Sequence, residues 1–238
     1  LWNVVSDLEK AKKSSQPITL QIALYQFGNK KPPYNEENEY LEKVVGFTDN
    51  LDHLSSKLFS LHAGDGGKEY YGEVIKAALD HLSWSSSPEV YKVAFVAGNE
   101  SFNQGPTSLT DLAGHIKRKS ITVNTIYCGP EKKAGELEEW KTAVRSVHGL
   151  FRQIDHNHHL PEIQTHFDKP MRELNAKLNE TFVWFGEGSH HAASNQHQQD
   201  TNALNLSDHA FAARMSAKIG HLYPVSYTHL TLPTIVGV

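Results

Sequence analysis

The sequence predicts an α/β fold, a doubly wound and mostly parallel sheet, on three observations. Stretches with strand character alternate with stretches of helical periodicity between residues 18 and 154. Residues 91–97 (YKVAFVA) form an almost unbroken apolar run, as expected of a strand covered on both faces. Polar, Gly- and Asn-containing segments such as residues 98–105 (GNESFNQG) punctuate the alternation where loops should fall.

The elements follow in order. Leu1, Trp2, Val4, Val5, Leu8 and Ala11 recur at helical spacing, and Lys12-Lys13 suits a helix C-terminus. Residues 18–27 (ITLQIALYQF) alternate as a strand, residues 29–39 read as a proline-containing loop, and residues 41–48 as a second strand. Thr48, Asp49 and Asn50 offer caps for a helix over 51–61. Residues 63–67 (AGDGG) form a loop before a helix over 72–83, with Val74, Ile75, Ala78, Leu79 and Leu82 on one face. Beyond the strand at 91–97 come a helix over 109–119, a strand over 121–127, a helix over 135–147 and a short strand over 150–154. Trp84 and Trp140, at helical spacing from apolar neighbours, are expected to anchor the packing.

The character changes after residue 155. His156, His158, His159 and His166 fall in a loop, residues 171–178 form a short amphipathic helix, and residues 182–185 (FVWF) an apolar patch expected to pack. Residues 186–205, rich in Gln, His, Ser and Asn, predict a flexible linker, and a helix capped by Ser207 or Asp208 follows over 207–218. The chain thus divides into an α/β domain at 1–155, an extension at 156–224 and a tail at 225–238. Residues 225–234 (VSYTHLTLPT) resemble a translation of transposon-end adaptor DNA, so 225–238 are expected to be foreign to the gene, as in a metagenomic fragment. The chain opens at Leu1 inside a helical pattern, and a domain shortened at its start is expected.

Composition narrows the function. Net charge is −4, and the longest basic run is Lys117-Arg118-Lys119, so nothing is built to neutralise a series of phosphates and no nucleic-acid partner is expected. The single cysteine, Cys128, excludes an internal disulfide and a cysteine-rich metal site, and reads as a strand-end thiol. No apolar run approaches the roughly 20 residues of a membrane span. His156, His158 and His159, like His190 and His191, lack the helical pairing and carboxylate context of a zinc hydrolase and read as solvated loops. The glycines at 64–67 lack the Lys-Ser/Thr of a phosphate loop, and no Gly-x-Ser-x-Gly elbow occurs. No enzyme is expected.

In such a sheet, ligands bind outside the carboxyl ends of the strands, here residues 27–29, 98–102 and 128–130. Several segments in order carry a family likeness: LWNVVSDLEKAKK, ITLQIALYQFG, VVGFTDNLDHLSSKLFSL, GGKEYYGEVIKAALDHLSW, YKVAFVAGNESFNQGP and ITVNTIYCG, then MRELNAKLNETFVWFG and QDTNAL. Over about residues 1–185 the chain resembles the bacterial von Willebrand factor A (vWA) domain proteins, including a subgroup with a C-terminal extension. The resemblance implies a Rossmann-like sheet with one antiparallel edge strand and a central first strand that would precede Leu1. Without that strand the sheet should be interrupted, or residues 18–27 should pair with 91–97.

The resemblance also implies a protein-binding module, used for adhesion or scaffolding, in the periplasm or at the cell surface. The family's metal-ion-dependent adhesion site (MIDAS) draws on an Asp-x-Ser-x-Ser loop, a Thr and an Asp, and a partner carboxylate completes the Mg²⁺ sphere. By matching position the Thr falls near Glu69-Tyr70-Tyr71 and the Asp at Gly98-Asn99-Glu100, so the metal site is expected to be degenerate, with Glu69 and Asn99 the side chains left that could ligate. The partner-binding surface implied there comprises Asp65, Glu69, Asn99, Glu100, Asn103 and Gln104. The alternative is a regulatory or assembly subunit of an AAA+ ATPase or chelatase-type complex.

Overall fold

The computed structural model describes residues 1–11, 18–29, 40–62, 68–130, 134–154, 165–184 and 188–223. Asp65, His156, His158, His159, Phe185 and the tail at 225–238 lie outside the described residues. The elements in chain order are α1 (Trp2–Ala11), β1 (Ile22–Phe27), β2 (Leu41–Thr48), α2 (Leu51–Phe59), α3 (Tyr71–His81), β3 (Lys92–Gly98), α4 (Leu109–Lys119), β4 (Ile121–Tyr127), α5 (Ala134–Arg145), β5 (Phe151–Gln153), α6 (Asp168–Glu180), α7 (Ser189–Leu206) and α8 (Asp208–Lys218). They fall into two compact units, one of Ala23–Phe47 with Leu61–Leu160, the other of Leu1–Ile22, Thr48–Ser60 and Pro161–Val238.

In the first unit the predicted α/β fold is present. β3, β4 and β5 run parallel in that order, with Val96 beside Thr125 and Thr125 beside Phe151. Parallel strands need a crossover connection between them, and α4 and α5 supply it. α4 is closed at its start by a reciprocal capping box between Ser108 and Asp111. β1 and β2 form a separate two-stranded sheet, joined where the Gly28 N–H donates to the Tyr40 carbonyl at 3.0 Å. The sheet is therefore interrupted, and β1 does not pair with β3.

One face of β3 and β4 packs on the helices. Val96, Ile121, Val123 and Tyr127 meet Tyr71, Val74, Ile75 and Leu79 of α3, Leu109, Leu112 and Ile116 of α4, and Trp140 of α5. On the other face the apolar side chains at β3 and around β5 are exposed, Tyr91 by 78%, Phe95 by 63%, Leu150 by 61% and Ile154 by 54%, while Asn124 of β4 between them is buried and accepts from the Leu150 N–H at 2.8 Å. Strand β3 is thus not covered on both faces, contrary to the expectation from its apolar run. An unbroken apolar run reports strand propensity without saying which face finds a partner, and β3 ends its sheet while β4 lies inside it. Trp84 is an anchor as expected, its indole N–H donating to the Ala78 carbonyl at 2.8 Å and its ring set edge-on to Phe47.

The second unit is helical. Trp2, Val5, Leu51, Ala203, Ala213, Ala217, Leu222 and Tyr223 form its core, so α1 and α2 share an interior with the C-terminal helices. Most of the 186–205 stretch, where composition predicts a flexible linker, lies in α7 (Ser189–Leu206), the longest helix among the described residues. Their composition misleads because the buried side of α7 is itself polar: Gln196, Gln199 and Asp200 lie inside with Ala203. Hydrogen bonds replace apolar burial there, as in Ser55 Oγ–H to Gln199 Oε1 at 2.9 Å. Ser207 caps α8 as expected, accepting from the Ala210 N–H. Trp184 and Phe182 are partly buried and their rings lie 6.0 Å apart.

Candidate functional site

The carboxyl ends of β1, β3 and β4 carry the loops that the sequence singles out. β3 ends at Gly98, and the Cys128 N–H beyond β4 donates to the Gly98 carbonyl at 2.7 Å, fixing the two strand ends together. Gly28, just past β1, has φ +78°, and a Cβ there would lie 3.0 Å from Cγ of Glu69. A glycine at that point lets the Glu69 side chain lie against the strand end without backbone strain.

Tyr71, the first residue of α3, organises this end of the unit. It is fully buried, stacked on Phe102 at 5.1 Å and edge-on to Phe27 and Trp140. Its hydroxyl donates to the Glu69 carboxylate and accepts from the Glu100 N–H at 3.3 Å. Burial pushes the phenol pKa far above its ordinary value, and the adjacent Glu69 carboxylate adds to the rise. Gln104 ties the two acidic residues together. Its Nε2 donates to the Glu100 carboxylate at 2.7 Å, and its Oε1 accepts from the Glu69 N–H at 3.2 Å. Trp140, also fully buried, donates from its indole nitrogen to the Glu100 carbonyl at 2.8 Å.

The structure therefore brings Glu69, Glu100 and Gln104 into one bonded group. Asn99 and Asn103 stand exposed beside it on the same loop, with the Asn103 N–H donating to Ser101 Oγ at 3.3 Å. The sequence reading missed Tyr71, although it marked the Glu69-Tyr70-Tyr71 segment. The signal available was an aromatic at a helix start, directly after an acid, where a small hydroxyl residue was expected. It also missed Ser101, whose hydroxyl donates to Glu139 at 2.5 Å, and Tyr127, whose hydroxyl donates to Glu136 at 3.2 Å. These contacts extend the carboxylates onto the start of α5.

Among the described residues the donors do not fit the Mg²⁺ site implied by the resemblance. At Gly98 a Cβ would collide with the Tyr71 hydroxyl, so no carboxylate could stand there without displacing the ring. The Glu69 carboxylate is engaged by that same hydroxyl. Among the described residues no group of three or more His, Cys, Asp or Glu side chains is arranged to hold a metal. Cys128 is half-buried, its Sγ 3.8 Å from the Ile126 carbonyl, and burial raises its thiol pKa. A thiol held protonated is a poor nucleophile. What the arrangement offers is a rigid polar surface of carboxylates and amides.

No family model and no curated protein sequence matches the chain. Solved structures share part of its shape, among them the three that follow. The SpRpn10 VWA domain overlaps 64% of this chain and 72% of its own, at 14% identity and a TM-score of 0.44. Proximal thread matrix protein 1 from the mussel byssus, with a zinc-occupied MIDAS motif, overlaps 64% of this chain and 35% of its own, at 17% identity and a TM-score of 0.44. An aerotolerance-related membrane protein from Bacteroides fragilis overlaps 76% of this chain and 87% of its own, at 12% identity and a TM-score of 0.43. These overlaps assign no role to any residue here.

Proposed function

We propose that the chain carries a vWA-type module that binds a protein partner through the loops at the carboxyl ends of its strands and performs no catalysis. The observation that carries this reading is the bonded group of Glu69, Tyr71, Glu100 and Gln104, which makes those loops a preorganised surface. Side chains already held in place lose little freedom on association, which favours binding. The exposed amides of Asn99 and Asn103 supply donors and acceptors at the rim. The same group opposes a metal-dependent mode, because Tyr71 fills the space above Gly98.

The experiment compares capture of a partner from bacterial extract by the immobilised chain and by the double variant Asn99→Arg, Asn103→Arg, with and without a chelator. Both residues are exposed, so the variant should fold normally and lose the partner. Capture by the native chain should survive the chelator. Retained capture by the variant would remove these loops from the binding surface, and loss of capture on chelation would restore a metal to it.

A further inference from the structure

The helical unit contains an ionic network that the binding surface does not use. Asp200 of α7 is nearly buried, and its carboxylate faces two cations of α8: Arg214 Nε at 2.6 Å and Lys218 Nζ at 2.9 Å. Arg214, 1% exposed, also pairs with Asp52 of α2 at 2.6 Å and donates to the Gln196 carbonyl at 3.1 Å. Its guanidinium lies 4.4 Å from the centroid of the Trp2 ring. The Lys218 ammonium donates further to Asn175 and Asn179 of α6, and both amides also donate to Asp200. The phenol of Tyr223 donates to Asp52. The Asp200 carboxylate therefore joins three helices, α6, α7 and α8, and Arg214 links them to α2 through Asp52.

The helix that carries it buries little apolar surface and is held mainly by polar contacts. Only Ala203 among the apolar residues of α7 is buried, and its other buried positions are Gln196, Gln199 and Asp200. Isolated helices are marginal in water and depend on tertiary packing, here mostly polar. We propose that α7 is a conditional helix, ordered only while the charged carboxylate of Asp200 bridges α6 and α8, so that this segment can open locally while the sheet stays folded. Without that negative charge Arg214 and Lys218 share a buried site in which Asp52 is the one carboxylate left among the described residues, and the arrangement that seats α7 loses its centre. Low-stability segments of this kind are the ones that proteins use for switching and regulated exposure.

Amide hydrogen exchange on the full chain tests the inference with Asp200→Asn, which keeps the shape and removes the charge. Amides of α7 and α8 should exchange about a hundredfold faster or more, while those of β3 and β4 stay as protected as in the native chain. Asp208→Asn is the control. It breaks the Arg172–Asp208 pair on the α6–α8 seam, where Arg172 is half exposed, and should change exchange by no more than about fivefold. Two results would overturn the proposal: Asp200→Asn leaving α7 within that same range, or sheet amides losing protection in step with α7.

Discussion

At the scale of single residues, Tyr71 decides how the candidate site is built. Its ring fills the space above Gly98, and its hydroxyl joins the Glu69 carboxylate to the Glu100 backbone. Tyr71→Phe keeps the packing and removes those bonds, taking one partner from the Glu69 carboxylate and one from the Glu100 N–H beside a buried ring. A loss of about 1–3 kcal/mol in unfolding free energy is expected, read from urea denaturation. The pH dependence has a definite sign. The folded phenol has a raised pKa, so it holds its proton where the unfolded phenol, near its ordinary value of about 10, would release it. The Tyr71 contribution is therefore full below pH ~10 and declines as pH rises above it. Stability measured from pH 9 to 11 should fall less steeply in Tyr71→Phe than in the native chain, and equal slopes would remove Tyr71 as the source.

At the scale of elements, legibility in the sequence tracks how local the determinants are. Helix α4 is legible because Leu109, Leu112 and Ile116 repeat at helical spacing, and in the structure Ser108 and Asp111 close its start with a capping box. Ser108→Ala opens that box and should lower stability by about 1 kcal/mol, with faster exchange confined at first to the opening turn of α4. β2, β4 and the five helices up to residue 145 were legible for the same reason, with boundaries within two residues. Helix α7 was not, because its order depends on groups distant in sequence: Ser55, Asn175 and Arg214. A periodicity search weighs apolar residues, and a helix that buries glutamine and aspartate leaves no such trace. Glu69, Glu100 and Gln104 could be placed at strand ends from sequence order, but the phenol that binds two of them could not.

At the scale of the molecule, alternation of strands and helices conveyed the α/β class, while the exposure of the sheet followed from what packs where. The run at residues 91–97 suits either a strand buried on both faces or a strand with one face bare, and only tertiary contacts distinguish them. Tyr91 and Phe95 stand out from β3, with Leu150 and Ile154 on the same side of β5, and β3 forms an edge of its sheet. An apolar face beside an unpaired strand edge invites association through both hydrophobic contact and backbone hydrogen bonds. The chain should therefore self-associate with rising concentration, and salt that strengthens apolar burial should promote it. Phe95→Lys puts a charge on the exposed edge strand of that face and, being a substitution of a largely exposed residue, should cost little stability. Light scattering against concentration should show the onset of association moved upward by about tenfold or more, since losing the burial of an aromatic ring at the contact between copies removes about 1.5 kcal/mol or more. If the onset stays where it is in the native chain while the melt is also unchanged, the bare face of β3 is not what drives association, and the exposed stretch of α6 around Phe167 and Leu174 becomes the surface to alter next.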